Sequence, residues 1–199
     1  MQPLDHLTFI SYAGGAALNF CVLIVGLLLT IRKQINASFL LASLVTTLWC
    51  AIYALSPQFL PLTPFEMLAT ESARYGLWLY CMLSTTRFHS GKRVPRNLYL
   101  SLLMIWALVL FSGMFSVSHD SGTGDWLDNM PIAWNSLLMA ILCIVGVEQL
   151  FRNAPHARVA KVLSIAVGAN MAFDLYLFAQ SLIMQRTAIE LWNARGLVS

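Results

Sequence analysis

A chain of 199 residues that is 58% hydrophobic and 11% charged, with mean hydropathy +0.70, carries more apolar residue than a soluble domain of this size uses for its core. Runs approaching the ~20 apolar residues that cross a bilayer as one helix recur along it, while the alternating segments of a transmembrane barrel are absent. The net charge of +3 is spread between apolar runs and no nucleic-acid-binding motif is present, so the expected partner is the lipid bilayer and not nucleic acid.

The first predicted helix covers residues 9–31 and opens on a small-residue patch, Ala13-Gly14-Gly15-Ala16-Ala17, suited to close helix packing. No Lys or Arg precedes it, and Arg32 and Lys33 follow it, which is the wrong polarity for a signal peptide. The second covers residues 37–55 and is followed by an uncharged, proline-bounded loop. The third covers 64–88 and starts at Pro64, a residue suited to a first helical turn. The fourth covers 95–117, and a polar loop, SHDSGTGDWLDNM, separates it from the fifth at 131–151. The sixth covers 158–185; its Ala160, Ser164, Gly168 and Ala172 form a small-residue ridge. The tail, TAIELWNARGLVS, is too short and too polar to span. The expectation is a single all-α integral membrane domain, a bundle of six transmembrane helices.

Cation placement orients that bundle. Arg32 and Lys33 follow the first helix; Arg87, Lys92, Arg93 and Arg96 follow the third; Arg152, Arg158 and Lys161 follow the fifth. The amino terminus and the loops after the second and fourth helices have no Lys or Arg; the amino terminus holds Asp5 and the loop after the fourth helix holds Asp120, Asp125 and Asp128. The amino terminus is therefore expected outside, and Tyr12, Tyr53, Trp126, Trp134 and Trp192 fall near the outer interface as an aromatic belt would.

Two predicted helices carry charge where hydrocarbon is expected. The sixth has Asn170 and Asp174 at i,i+4, on one face. The third has Glu71 and Arg74 at i,i+3, with Trp78 one turn on. With 1.5 Å of rise per residue, Arg74 and Asp174 lie at depths that agree to within about one turn. An unpaired charge in lipid is costly and pairing removes much of the cost. Arg74 is thus expected to reach Asp174, with Glu71 and Asn170 in the same polar cluster. The cluster reads either as an internal lock between helices or as a ligand-sensing or ion-coupled site.

Other candidates are weaker. Glu148 and Arg152 form an i,i+4 pair at a helix end, read as a surface pair. His119, Asp120, Asp125 and Asp128 lack the spacing of a calcium loop and read as a solvated loop. His6, His89 and His156 read as solvated. Cys21, Cys50, Cys81 and Cys143 form no metal-ligand spacing and read as buried free thiols. Zinc-protease, nucleophile-elbow, P-loop and dinucleotide motifs are absent, so no catalytic residue, metal or cofactor is expected in this chain.

Three runs carry a family resemblance: EQLFRN from Glu148, FDLYLFAQSLI from Phe173 and LWNARGLVS from Leu191. With the ESARYGLWLY run of the third helix, they resemble the amino-terminal membrane region of PrsK-type sensor histidine kinases, which accompany exosortase (PEP-CTERM) and exopolysaccharide systems of Gram-negative bacteria. The resemblance implies a multi-pass, inner-membrane signal-input domain at the front of a longer protein. A cytoplasmic kinase core would follow, act as a homodimer and address a response regulator. That core, with its phosphoacceptor histidine and ATP-binding boxes, is not in these residues. Glu148, Gln149, Arg152, Asp174 and Trp192 match the family runs without an assignable role. The alternatives are a small ion- or proton-coupled transporter subunit, with Asp174 in the relay, or a structural membrane scaffold.

Overall fold

The computed structural model describes residues 3–32, 36–56, 62–90, 96–119, 126–153, 158–184 and 189–198. It is all-α: α1 Pro3–Ile31, α2 Ala37–Leu55, α3 Pro64–Ser90, α4 Arg96–His119, α5 Trp126–Asn153, α6 Arg158–Met184 and α7 Ile189–Val198, with no strand among the described residues. Three boundaries differ from the sequence expectation: α1, expected from residue 9, begins at Pro3. Residues 126–130, read as loop, form the first turn and more of α5. Residues 189–198, read as a tail too short and too polar to span, form α7. Lys33, Lys92, Arg93, Asp120, Asp125 and His156 lie outside the described residues.

Local chemistry accounts for the helix starts and for the hydroxyls inside them. The α3 entry is a capping box. The Thr63 backbone N–H donates to Glu66 Oε2 at 2.8 Å, and the Glu66 N–H donates back to Thr63 Oγ1 at 3.3 Å. Pro64 follows the cap, where its missing N–H leaves no bond unmade. Within the helices, Thr46, Thr47 and Thr86 each donate to the carbonyl one turn back, at 2.8–2.9 Å. An apolar surround offers no water, so such self-contained bonds are the available ones.

Four helices are long and apolar enough to cross a membrane: Thr8–Ile31, Ala37–Leu55, Ile132–Asn153 and Ala160–Met184. α3 fails that measure because Glu71 and Arg74 interrupt it, and α4 contributes a shorter apolar stretch, Leu100–Phe115. The distribution of polarity is that of a protein in an apolar solvent. Leu18, Phe20, Val25, Leu28, Leu108 and Phe111 face outward and are about half exposed or more. Glu71 and Arg74 of α3, Asp174 of α6 and Arg195 of α7 are enclosed.

α3 is the central helix; it packs against α2, α4, α5 and α6. α5 and α6 pair closely, as do α1 and α2, and α7 lies against α1 and α6. The main core gathers Trp78, Leu79, Met82, Met139, Cys143 and Met171 between α3, α5 and α6. Ala160 and Ser164 of the small ridge are buried, whereas Ala172 faces out. Cys50, Cys81 and Cys143 are buried free thiols; Cys21 is instead exposed, on the outer face of α1. A second cluster joins Tyr12, Trp49 and Tyr53 with Trp192 of α7. Tyr12 and Tyr53 therefore point inward. The interfacial-belt reading of these two residues is corrected by α7, which occupies the space beside them.

Candidate functional site

The polar cluster is assembled by three helices. On α3, Glu71, Arg74 and Tyr75 fall at i, i+3 and i+4, so one face carries an acid, a base and a hydroxyl. α6 supplies Asp174 and α7 supplies Arg195. All four ionic side chains are at most 1% exposed.

Arg74 Nη2 donates to Asp174 Oδ2 at 2.5 Å, and the same oxygen accepts the Tyr75 hydroxyl at 2.8 Å. Glu71 Oε2 stands 3.5 Å from Arg74 Nη2. Arg195 binds both acids. Its Nε donates to Asp174 Oδ1 at 2.6 Å, while Nη1 and Nη2 donate to the two oxygens of Glu71 at 2.5 and 2.8 Å. Nη2 also reaches the Tyr75 hydroxyl at 3.2 Å. Two carboxylates and two guanidiniums thus sum to zero charge. The planar fork of Arg195 is matched edge-on to a carboxylate, the geometry that arginine recognises best.

Aromatic rings close the cluster. Trp49 of α2 lies under both guanidiniums, with ring-centroid distances of 4.3 Å to Arg74 and 4.9 Å to Arg195. Phe178 and Trp192 cover Arg195 at 4.9 and 5.2 Å. Guanidinium is weakly hydrated for a cation, and its face is attracted to the ring quadrupole, so this lining substitutes for water. The Tyr12 hydroxyl donates to the Trp192 carbonyl at 3.1 Å and ties α7 to α1.

The approach of α7 to α1 is backbone against backbone. A Cβ on Gly15 would overlap the Gly196 carbonyl, and one on Gly196 would come within 2.7 Å of the Tyr12 backbone. Only glycine at both positions lets α7 lie deep enough for Arg195 to reach α3 and α6. The small patch of α1 is therefore the seat of α7.

Of the residues anticipated from sequence, Glu71, Arg74 and Asp174 are brought into contact. Asn170 is buried one turn from Asp174 and lines a cleft between α1 and α6. Glu148 and Arg152 form an ion pair of 2.7 Å on the surface, with side chains 50% and 73% exposed. Gln149 accepts from Asn153 Nδ2 through its backbone carbonyl at 2.8 Å and through Oε1 at 3.2 Å. Trp192 packs on Tyr53 and Phe178.

The missed residues are Tyr75, whose hydroxyl donates to Asp174, and Arg195. Glu71 and Asp174 against Arg74 leave one negative charge over, which a second cation balances. Outside the third helix and the basic loops, the chain has only Arg186 and Arg195. Chemically, the closed, neutral cluster holds helices together; it contains no histidine and no cysteine. No family model, curated protein or solved structure matches the chain.

Proposed function

We propose that this chain is a membrane-embedded signal-input domain in which α7 is the moving part and the Arg195 clamp is its latch. The observation that carries the proposal is that one side chain of a ten-residue helix binds acids on both α3 and α6. In this reading the short helix, which the Arg195 clamp ties to α3 and α6 and its glycine and tryptophan contacts seat on α1, moves between a docked and a released arrangement. A stimulus that favours one shifts the population without any new chemistry. In the fuller form of the proposal, six helices cross the bacterial inner membrane with the amino terminus outside. The output is a histidine kinase of the PrsK type serving exopolysaccharide or envelope functions. Support for that form comes from the one-sided distribution of cations and from the EQLFRN, FDLYLF and LWNARG runs.

The test is phosphoryl incorporation from labelled ATP in membranes of cells expressing the native reading frame. Wild type is compared with Arg195→Lys, which keeps the charge and loses the fork. Incorporation into a band containing this chain, altered in Arg195→Lys at equal membrane abundance, supports the proposal. Equal incorporation despite a released α7 reduces the clamp to a static lock. No incorporation in either protein overturns the kinase reading. Impermeant thiol labelling of Arg32→Cys and Thr63→Cys, on opposite sides in the six-span arrangement, tests the topology.

A further inference from the structure

A cleft of about 530 Å³ lies between α1 and α6, within the range of pockets that hold small molecules. α1 and α6 do not pack closely among the described residues. Phe39 and Trp78 form part of the wall, and Val22 and Val162 line it with exposed side chains. One end is marked by Asn19 and Asn170, the other by Leu29 and Arg158. Asn19 Nδ2 donates back to Gly15 O at 3.0 Å, so that donor is satisfied within its own helix.

Length and charge both bear on the occupant. From Arg158 to Asn170 is twelve residues of α6, or roughly 18 Å, close to half of the ~30 Å hydrocarbon core. The cleft is therefore about as long as one leaflet is deep. The end at Leu29 and Arg158, on the side of the basic loops, is cationic. Arg158 lines it, and Arg32 follows Leu29 by three residues, on the same side of α1. Both arginines are exposed, and neither forms an ion pair among the described residues.

We infer that this cleft binds one bilayer lipid with an anionic headgroup, its phosphate against Arg158 and Arg32 and one acyl chain along Phe39 and Trp78. The binding does not depend on the signalling proposal. It does place the acyl chain beside Trp78 and Asn170, each one turn from a member of the ionic cluster, Arg74 and Asp174 respectively.

Brominated acyl chains quench tryptophan on contact, which gives the test. The full chain is reconstituted in phosphatidylcholine vesicles containing either mid-chain-brominated phosphatidylglycerol or the same mole fraction of brominated phosphatidylcholine. The Trp78 component is taken as wild type minus Trp78→Phe. The expected result is stronger quenching by the phosphatidylglycerol. That excess is lost in the Arg32→Gln/Arg158→Gln double variant, and quenching by either lipid is lost in Ala166→Phe, which fills the cleft. Equal quenching by both lipids would mean a groove bathed by bulk lipid and overturns the inference. Absence of quenching by both would mean that protein covers the cleft, and overturns it too. Native mass spectrometry from phosphatidylglycerol-containing micelles reads the same site without altering Trp78. One retained phosphatidylglycerol, lost in Ala166→Phe, supports the site; none retained by wild type rejects it.

Discussion

Arg195 and Glu71 are 124 residues apart in the chain and meet as a two-bond fork, at 2.5 and 2.8 Å, with both side chains sealed from the surroundings. Removing one partner leaves a carboxylate with no comparable donor in a medium that cannot solvate it. Breaking a buried pair in this way costs about 3–5 kcal/mol. Arg195→Gln is expected to lose stability on that scale in a denaturant titration in mild micelles. Arg195→Lys should recover part of the loss, since an ammonium restores the charge but not the fork. The Glu71→Gln/Arg195→Gln double variant should lose less than the sum of its parts, by about 0.5–3 kcal/mol of coupling. Strict additivity would show that the fork contributes nothing as a pair.

Exchange of charge between positions 74 and 174 is the intuitive test of a two-residue ion pair, and here it is expected to fail. Asp174 Oδ1 also accepts from Arg195 Nε at 2.6 Å. Asp174→Arg therefore presses two guanidiniums together, and Arg74→Asp adds a carboxylate next to Glu71. The double variant should be no more stable than Asp174→Arg alone, measured by the fraction of protein that stays monodisperse after extraction. Recovery to wild-type behaviour would show that Arg195 is not seated as described.

The helices of this fold were legible because apolar runs of sufficient length leave few alternatives in lipid. The meeting of Arg74 with Asp174 was legible for a related reason: two opposite charges at matched depth in an apolar medium must find each other. α7 was not legible. Ten residues with an arginine near the end look like a tail by hydropathy, and the groove that receives them exists only once Gly15, Tyr12 and Tyr53 have been placed by α1 and α2. The same reason inverts Tyr12 and Tyr53, whose positions near helix ends suggested the membrane interface. Asn170 shares a helical face with Asp174, is buried like it and also lines the cleft beside α1.

Surface charge should matter far less. Glu148 and Arg152 are close enough to bond, yet both are at least half exposed and solvent or headgroups can replace either partner. Exposed pairs of this kind are worth about 0.2–1 kcal/mol. Glu148→Ala is expected to shift stability by no more than about 0.5 kcal/mol in the same titration that registers Arg195→Gln. A loss comparable to Arg195→Gln would give that end of α5 a structural role that its exposure does not suggest.

The seat of α7 can be tested without touching a charge. Gly14 and Gly15 are neighbours, but they face different things. A Cβ on Gly14 meets only the flexible Leu197 Cδ2, at 3.2 Å, whereas on Gly15 it overlaps the Gly196 carbonyl and comes within 3.4 Å of Cys50 Sγ. A side-chain tip can move by a few tenths of an ångström, but a helix backbone must move as a whole. Gly14→Ala is therefore expected to be tolerated, and Gly15→Ala to lift α7 and pull Arg195 away from Glu71 and Asp174. Cys50 reports the movement directly, since it is buried at this crossing while Cys21 is exposed. A small thiol reagent applied to the folded protein in micelles should modify Cys21 alone in wild type and in Gly14→Ala. In Gly15→Ala it should modify Cys50 as well. Protection of Cys50 in Gly15→Ala, with the fold intact, would mean that α7 does not depend on this contact, and the clamp would have to be anchored elsewhere.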